Sequence, residues 1–226
     1  MSETVLYMAP YTCARVTAIA LEEAGVAFET RLIRFLKGEH KSPEFKRYNP
    51  KGKVPALAID GTVLTENVAI LTYLAERFPD AGLMPPALSP AARAHQIADL
   101  CFCSATLHPL VTRIRMPMFF AGAEHAPVVK RTAEQAMDEY FQLVEDRLAD
   151  GPWWYGDTWS AMDGYLYWVF WRVEGAGYDV SRFPRFTAHA RTMEQRPAVQ
   201  RALAREEEAQ RQLEAEGLAF VPPKVS

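Results

Sequence analysis

The run Asn49-Pro50-Lys51-Gly52-Lys53-Val54-Pro55-Ala56-Leu57 carries the strongest local signal in the chain. A proline that opens a strand gives no N–H to the ladder and keeps the residue before it extended. With a cis Val54–Pro55 bond, the N–H and C=O of Val54 face outward and can pair with an extended peptide ligand as an added strand would. The plainer alternative is an ordinary edge-strand proline. Glu66 follows Thr65, where a strand gives way to a helix expected from Val68. Backbone N–H groups at that start favour an anion, so a ligand carboxylate is expected at Asn67. Glu66 beside it can then accept a ligand ammonium, or it merely complements the helix dipole for about 0.3–1 kcal/mol. A ligand carrying both charges on one carbon fits this pair of sites.

Tyr11, Thr12 and Cys13 lie at the start of another expected helix, directly after the first strand. A free thiol of pKa about 8.5 is only about 3% ionised at pH 7. Lowering that pKa by about two units takes roughly 2.7 kcal/mol, and donors at a helix start can supply it to a thiolate. Cys101 and Cys103, spaced C-x-C on a helix, do not share a face. No second cysteine pair accompanies them, so no metal site is expected.

The elements that must position these residues can be read from punctuation and period. Thr4 to Met8 reads as a strand, and Thr12 to Ala24 as a helix stopped by Gly25. Val26 to Ile33 reads as a second strand, Pro43 to Tyr48 as a short helix, and Val54 to Ile59 as a third strand. Asp60-Gly61 marks a two-residue hairpin into Thr62 to Leu64, and Val68 to Phe78 is a helix. This order predicts an α/β thioredoxin-like domain at 1–81, a mixed four-stranded sheet with helices packed on it. Phe78 to Pro90, rich in proline, reads as the linker. An all-α domain is expected over 88–226. It comprises a helix from Ala91 to about Met118 kinked at Pro109, a helix from Pro127 to Asp150, and further helices near Ser160, Pro184 and Pro197. Met116, Met118, Phe119 and Phe120 are expected in the core or a pocket wall. Trp153, Trp154 and Trp159 are expected to pack. Glu206 to Glu208 is expected to be a solvated helix face, and the last dozen residues loosely held.

Bulk properties narrow the function classes. The 226 residues are 49% hydrophobic and 23% charged, with formal net charge −3. No basic stripe invites nucleic acid. No stretch approaches the roughly 18 apolar residues of a membrane span. The N-terminal apolar run lacks a basic leader and is too short for a signal peptide. Three cysteines cannot form a disulfide framework and suit a reducing compartment, so a cytoplasmic location is expected.

Several of these pieces together resemble the cytosolic glutathione S-transferases. They are Leu6-Tyr7, Pro10, Cys13, the Ile19 to Gly25 segment, the Asn49 to Leu57 segment and Thr65-Glu66. Ser160 to Asp163 resembles that family's N-capping box, and Gln195 to Val199 its late helix start; the likeness runs from about residue 4 to 205. It implies glutathione as co-substrate, whose γ-glutamyl end carries the two charges anticipated at Glu66 and Asn67. It also implies a small hydrophobic electrophile, a homodimer and a role in detoxification. The bacterial beta class is similar in placing a cysteine at Cys13 and a histidine in a Leu-His context like Leu107-His108. The resemblance suggests Lys37, Lys53, Val54, Pro55, Glu66 and Asn67 as glutathione contacts, with Cys13 and His108 near the thiol. A nu-like class leaves Tyr11 and Thr12 open as thiol donors, and the mammalian-type classes leave Tyr7. The chain departs from the pattern at Asn67, at Cys101 where the beta class has an asparagine, and at Gly164, where the staple with Trp159 is lost. A monothiol disulfide oxidoreductase using Cys13 and a non-catalytic glutathione-binding module are the rival readings.

Overall fold

The computed structural model describes residues 4–220. They group into two compact units, one of residues 4–83 with 195–220, the other of residues 84–194.

The first unit is built on a four-stranded sheet of order β2-β1-β3-β4, from β1 (Val5–Met8), β2 (Glu29–Leu32), β3 (Ala56–Ile59) and β4 (Thr62–Thr65). β1 pairs parallel with β2 and antiparallel with β3, and the hairpin expected at Asp60-Gly61 joins β3 to β4. Register aligns Leu6 with Leu57 and Leu57 with Leu64, and strand alternation sends these residues to one face. On the other face Val5, Tyr7 and Ala56 pack with Ile33 and Phe45. Four helices complete the unit: α1 (Ala14–Glu23), α2 (Pro43–Lys46), α3 (Asn67–Arg77) and α9 (Pro197–Ala215). Gly25 ends α1 in the left-handed conformation expected of it, at φ +64°.

The last helix, α9, follows the linker in sequence yet groups with the sheet unit and packs on α1. Its stripe Ala198, Ala202, Glu206, Ala209 and Leu213 is buried at helical spacing. Glu206 is therefore a core residue, 2% exposed, and not part of a solvated face. The carboxylate is tolerated there because Arg15 of α1, itself buried, is its ion-pair partner. The C-terminal turn is also held. Arg34 donates to both oxygens of Glu216 at 2.6 and 2.7 Å, and Leu218 N–H reaches Leu213 O at 2.7 Å. The remainder of the expected loose end, 221–226, lies outside the described residues.

The second unit contains α4 (Pro90–Cys101), α5 (His108–Arg115), α6 (Met118–Arg147), α7 (Ala161–Glu174) and α8 (Pro184–Glu194). The interruption expected at Pro109 falls ahead of it, as a π-helical stretch over Phe102–Leu107. Pro109 has no N–H for the turn behind it, and the backbone widens there. The helix expected from Pro127 begins earlier, at Met118, and breaks at Ala121 and Gly122 before running through Pro127. Phe119 and Phe120, expected in the core or a pocket wall, are 71% and 47% exposed and are not core residues.

The capping box at α7 is present. Ser160 N–H donates to Asp163 at 2.8 Å, and Ser160 Oγ–H at 3.1 Å. The other carboxylate oxygen of Asp163 takes Trp154 N–H at 2.8 Å and lies 3.0 Å from His189 Nε2. Four partners satisfy a carboxylate that is 0% exposed. Gly164 has no side chain to offer at the staple position, and Trp159 directs its indole N–H to Met193 Sδ at 3.4 Å.

Candidate active site

In the first unit the heads of α1 and α3 meet the loop that leads into β3. The Val54–Pro55 bond is cis. Asn49 Nδ2 donates to Lys53 O at 2.6 Å and shapes the loop. Gly52, at φ +63°, lies so close to His40 that a Cβ would stand 2.6 Å from His40 O, so no side chain fits there. Val54 O accepts the Cys13 thiol at 3.7 Å, and among the described residues nothing meets Val54 N–H. Pro55 is buried, while the Lys53 side chain is exposed.

Cys13 is the buried N-cap residue of α1. Asn67 Nδ2 donates to Cys13 O at 2.9 Å, and Thr17 Oγ1 donates to Asn67 Oδ1 at 2.7 Å. The side chain of Asn67 is thus spent on tying α3 to α1. What it offers a ligand is the N–H at the first turn of α3, where intrahelical partners are lacking. Glu66 precedes it at φ +74° and makes no side-chain cap bond. Its carboxylate faces outward onto Lys51, 2.6 Å away. A simple cap would have turned it toward the helix.

Thr12 Oγ1 donates to Ala9 O at 2.7 Å and accepts from Ala14 N–H at 3.3 Å, so its proton is already committed to the turn. Tyr11 is left-handed at φ +64°, a strained setting for a bulky residue. Its N–H is held there by Glu206 Oε1 at 2.7 Å, while Glu206 also receives Arg15 Nε at 3.0 Å. Burial, then the carboxylates of Glu206 and Glu214, raise the pKa of the Tyr11 phenol above its ordinary value. Tyr7 lies in the core under the sheet. Arg31 donates to its hydroxyl at 3.1 Å, its ring lies 4.5 Å from Tyr48, and burial pushes its pKa up to about 12. Lys37 sits on a separate turn and pairs with Glu216 at 3.8 Å, apart from the group around Cys13.

In the helical unit His108 opens α5. Its Nδ1 lies 3.3 Å from Tyr165 OH and its ring 4.6 Å from that of Trp168. Trp168 is 2% exposed, and its indole nitrogen has no partner among the described residues. Cys103 is enclosed by the unit, its thiol directed at Met162 Sδ at 3.6 Å and its pKa raised by burial. None of Cys13, Cys101 and Cys103 is in a disulfide. No cluster of three His, Cys, Asp or Glu residues able to hold a metal occurs among the described residues, and none of their helices is long and apolar enough to cross a membrane.

Sequence reasoning missed Lys51, Thr17, Glu206 and Trp168. For Glu206 a signal existed, its place on the apolar stripe of α9. Lys51 was visible in the loop motif, but only folding brings it opposite Glu66.

Comparison with known proteins decides the family. The glutathione S-transferase N-terminal domain matches residues 2–76, and the C-terminal domain of the same family matches residues 86–205. The chain belongs to the glutathione S-transferase family. It is 32% identical over 203 residues to the glutathione S-transferase GstA of Escherichia coli O157:H7, covering 89% of this chain and 98% of that protein. It is 28% identical to a maleylacetoacetate isomerase of Pseudomonas aeruginosa, covering 81% and 87%. Among solved structures, a sphingomonad glutathione S-transferase complexed with glutathione has TM-score 0.78 at 31% identity, covering 90% of this chain and 98% of that one. The beta-class enzyme of Sphingomonas chungbukensis has the same score and identity, covering 89% and 98%. The protein is a glutathione transferase with glutathione as co-substrate.

Proposed function

We propose that this transferase joins the glutathione thiolate to a small hydrophobic electrophile, with Cys13 at the thiol. One observation carries the reading. The thiol of Cys13, the outward Val54 backbone and the head of α3 are linked through Val54 O and Asn67 Nδ2. Val54 N–H and C=O would pair with the cysteinyl part of glutathione as a strand does. The N–H at Asn67 would take its γ-glutamyl carboxylate, and Glu66 its ammonium. Exposed Lys53, and Lys37 if it leaves Glu216, are the cations assigned to the other carboxylate, with Pro55 fixing the loop. The N-terminus of α1 favours thiolate over thiol. Tyr11 and Thr12 are the competing hydroxyl donors, and His108 is suggested by the beta-class likeness alone. A domain division at 1–81 and 88–226, a homodimer, a cytoplasmic location and a role in detoxification belong to the same reading. The commonest soluble assembly is a two-fold dimer.

Incubation of the purified protein with glutathione and a generic aryl halide, followed by mass spectrometry, should show the thioether. Light scattering should give about twice the chain mass; a monomer at micromolar concentration defeats the dimer. The isomerase relative favours a second reading, in which glutathione is regenerated and no adduct accumulates. Isomerised product with free glutathione recovered would select it.

A further inference from the structure

Glu216 is the C-cap residue of α9, and Gly217 follows it in the left-handed conformation at φ +69°. Gly217 N–H donates to Glu214 O at 3.0 Å and Leu218 N–H to Leu213 O at 2.7 Å, which closes the turn. The helix end delivers the Glu216 carboxylate to the segment that follows β2. There Arg34 grips both oxygens through Nε and Nη2, and Gln212 Nε2 donates to Oε1 at 3.2 Å. Hydrogen bonds from Arg34 hold the Glu216 carboxyl down at about 2, so it is charged at neutral pH. Lys37 Nζ lies 3.8 Å from Oε2 of the same carboxylate. Arg34 has a second acid as well. Its N–H donates to Glu39 Oε2 at 2.8 Å, and its Nη1 lies 3.6 Å from Glu39 Oε1. Two cations and two carboxylates thus meet after β2, and their formal charges cancel.

Lys37 is one of the cations assigned to the second carboxylate of glutathione, the one on its glycine. Glu216 presents Lys37 with the same chemical group before any ligand arrives. The competition is one-sided. The planar fork of an arginine holds a carboxylate at two points, whereas a lysine is a point charge on a flexible stem. When the ligand binds, Lys37 turns and Glu216 stays with Arg34. The arriving carboxylate then meets a lysine flanked by a fixed like charge, which repels it.

We propose that Glu216 is a specificity-determining residue of the glutathione site: it competes with the glycyl carboxylate for Lys37 and so weakens selection for that carboxylate. This rests on glutathione being bound with its glycyl carboxylate on Lys37. Thiols whose glycyl end is capped lose less affinity in this protein than they would against a lysine with no acid beside it.

The test compares glutathione with its glycyl monoethyl ester by calorimetry at low, fixed ionic strength. The proteins are wild type, Glu216→Gln, Lys37→Ala and the double variant. The ratio of the two affinities carries its own control, because damage to the fold weakens both thiols alike. Glu216→Gln should raise the preference for glutathione over the ester about three- to fivefold, the upper range for an exposed ion pair. Lys37→Ala should lower that preference. Adding Glu216→Gln to Lys37→Ala should then move the ratio by less than about 1.5-fold, since the pair acts through one contact. An unchanged or smaller ratio in Glu216→Gln, with Lys37→Ala still lowering it, overturns the competition and leaves Lys37 in the glutathione site. A ratio that Lys37→Ala does not lower removes Lys37 from the site, and the proposal falls with that assignment. Failure of wild type to bind either thiol does the same. A gain from Glu216→Gln that persists in the Lys37→Ala background belongs to the released Arg34 and also overturns the proposal.

Discussion

Lys51 Nζ lies 2.6 Å from a carboxylate oxygen of Glu66 and donates to Thr65 Oγ1 at 2.8 Å. The lysine ammonium stands where the γ-glutamyl ammonium of glutathione is assigned. On that assignment ligand and lysine would compete for one carboxylate.

Glu66→Gln should weaken glutathione binding about tenfold or more, because a charge-assisted hydrogen bond is worth roughly 1.5–3 kcal/mol. Lys51→Ala should tighten binding by no more than about fivefold, since an exposed ion pair contributes only about 0–1 kcal/mol. Calorimetry reads both. Unchanged affinity in Glu66→Gln removes Glu66 from the site, and weaker binding in Lys51→Ala makes the lysine a helper of the ligand.

Cys13→Ala should lose glutathionylation and disulfide exchange if its thiol is the covalent centre. If Cys13 only packs under the helix, both rates should stay within about threefold, and Tyr11→Phe should carry the large loss. Thr12 is the weaker rival because its proton already goes to Ala9 O. Mass spectrometry after incubation with oxidised glutathione provides the check. No adduct on Cys13, together with normal turnover by Cys13→Ala, transfers the role to a hydroxyl.

Glu206→Ala should cost about 3–5 kcal/mol of stability, because it strands a buried guanidinium. It also frees the Tyr11 N–H that Glu206 holds, so turnover should fall with stability. Denaturant unfolding of the purified variant measures the first effect. A loss under about 1 kcal/mol would show that solvent replaces the pair.

Acid should loosen α9 before the sheet. Burial raises the Glu22 carboxyl, but hydrogen bonds from Arg201 and Arg205 outweigh it and leave the pKa below its ordinary 4.5. A carboxyl depressed in the folded state adds stability that is whole above the unfolded pKa and is lost as pH falls through the folded one. An Arg201→Ala, Arg205→Ala double variant should therefore melt below wild type at pH 7, with the gap closing below about pH 4. A gap of constant size across that range would assign the loss to packing.

Local patterns carried the sheet unit well. Gly25, Asp60-Gly61 and Val54-Pro55 mark bends whose backbone needs are written in residue type, and each occurs where those residues stand. The helical unit was less legible because its irregularities are cooperative. Pro109 announces a disturbance, but its expression as six π-helical residues ahead of the proline depends on how neighbouring helices accept the extra width. Met118 to Phe120 read as apolar, and only packing decides that Phe119 and Phe120 stay outside. Within the candidate site, residue types pointed to Glu66 and Cys13. The commitment of Asn67 to Thr17 and of Tyr11 to Glu206 joins positions 50 and 195 residues apart, which no local pattern encodes.

The Arg15–Glu206 pair has a consequence for synthesis. The two residues are 191 positions apart, so at about 5–20 residues per second roughly 10–40 s pass between making the arginine and making its partner. Through that interval the nascent sheet carries a charge meant for an interior and lacks the helix that covers it. The sheet segment made earlier is completed only by the helix made later. A premature stop ahead of Glu206 would leave the packing around Arg15, not merely the missing helix, incomplete.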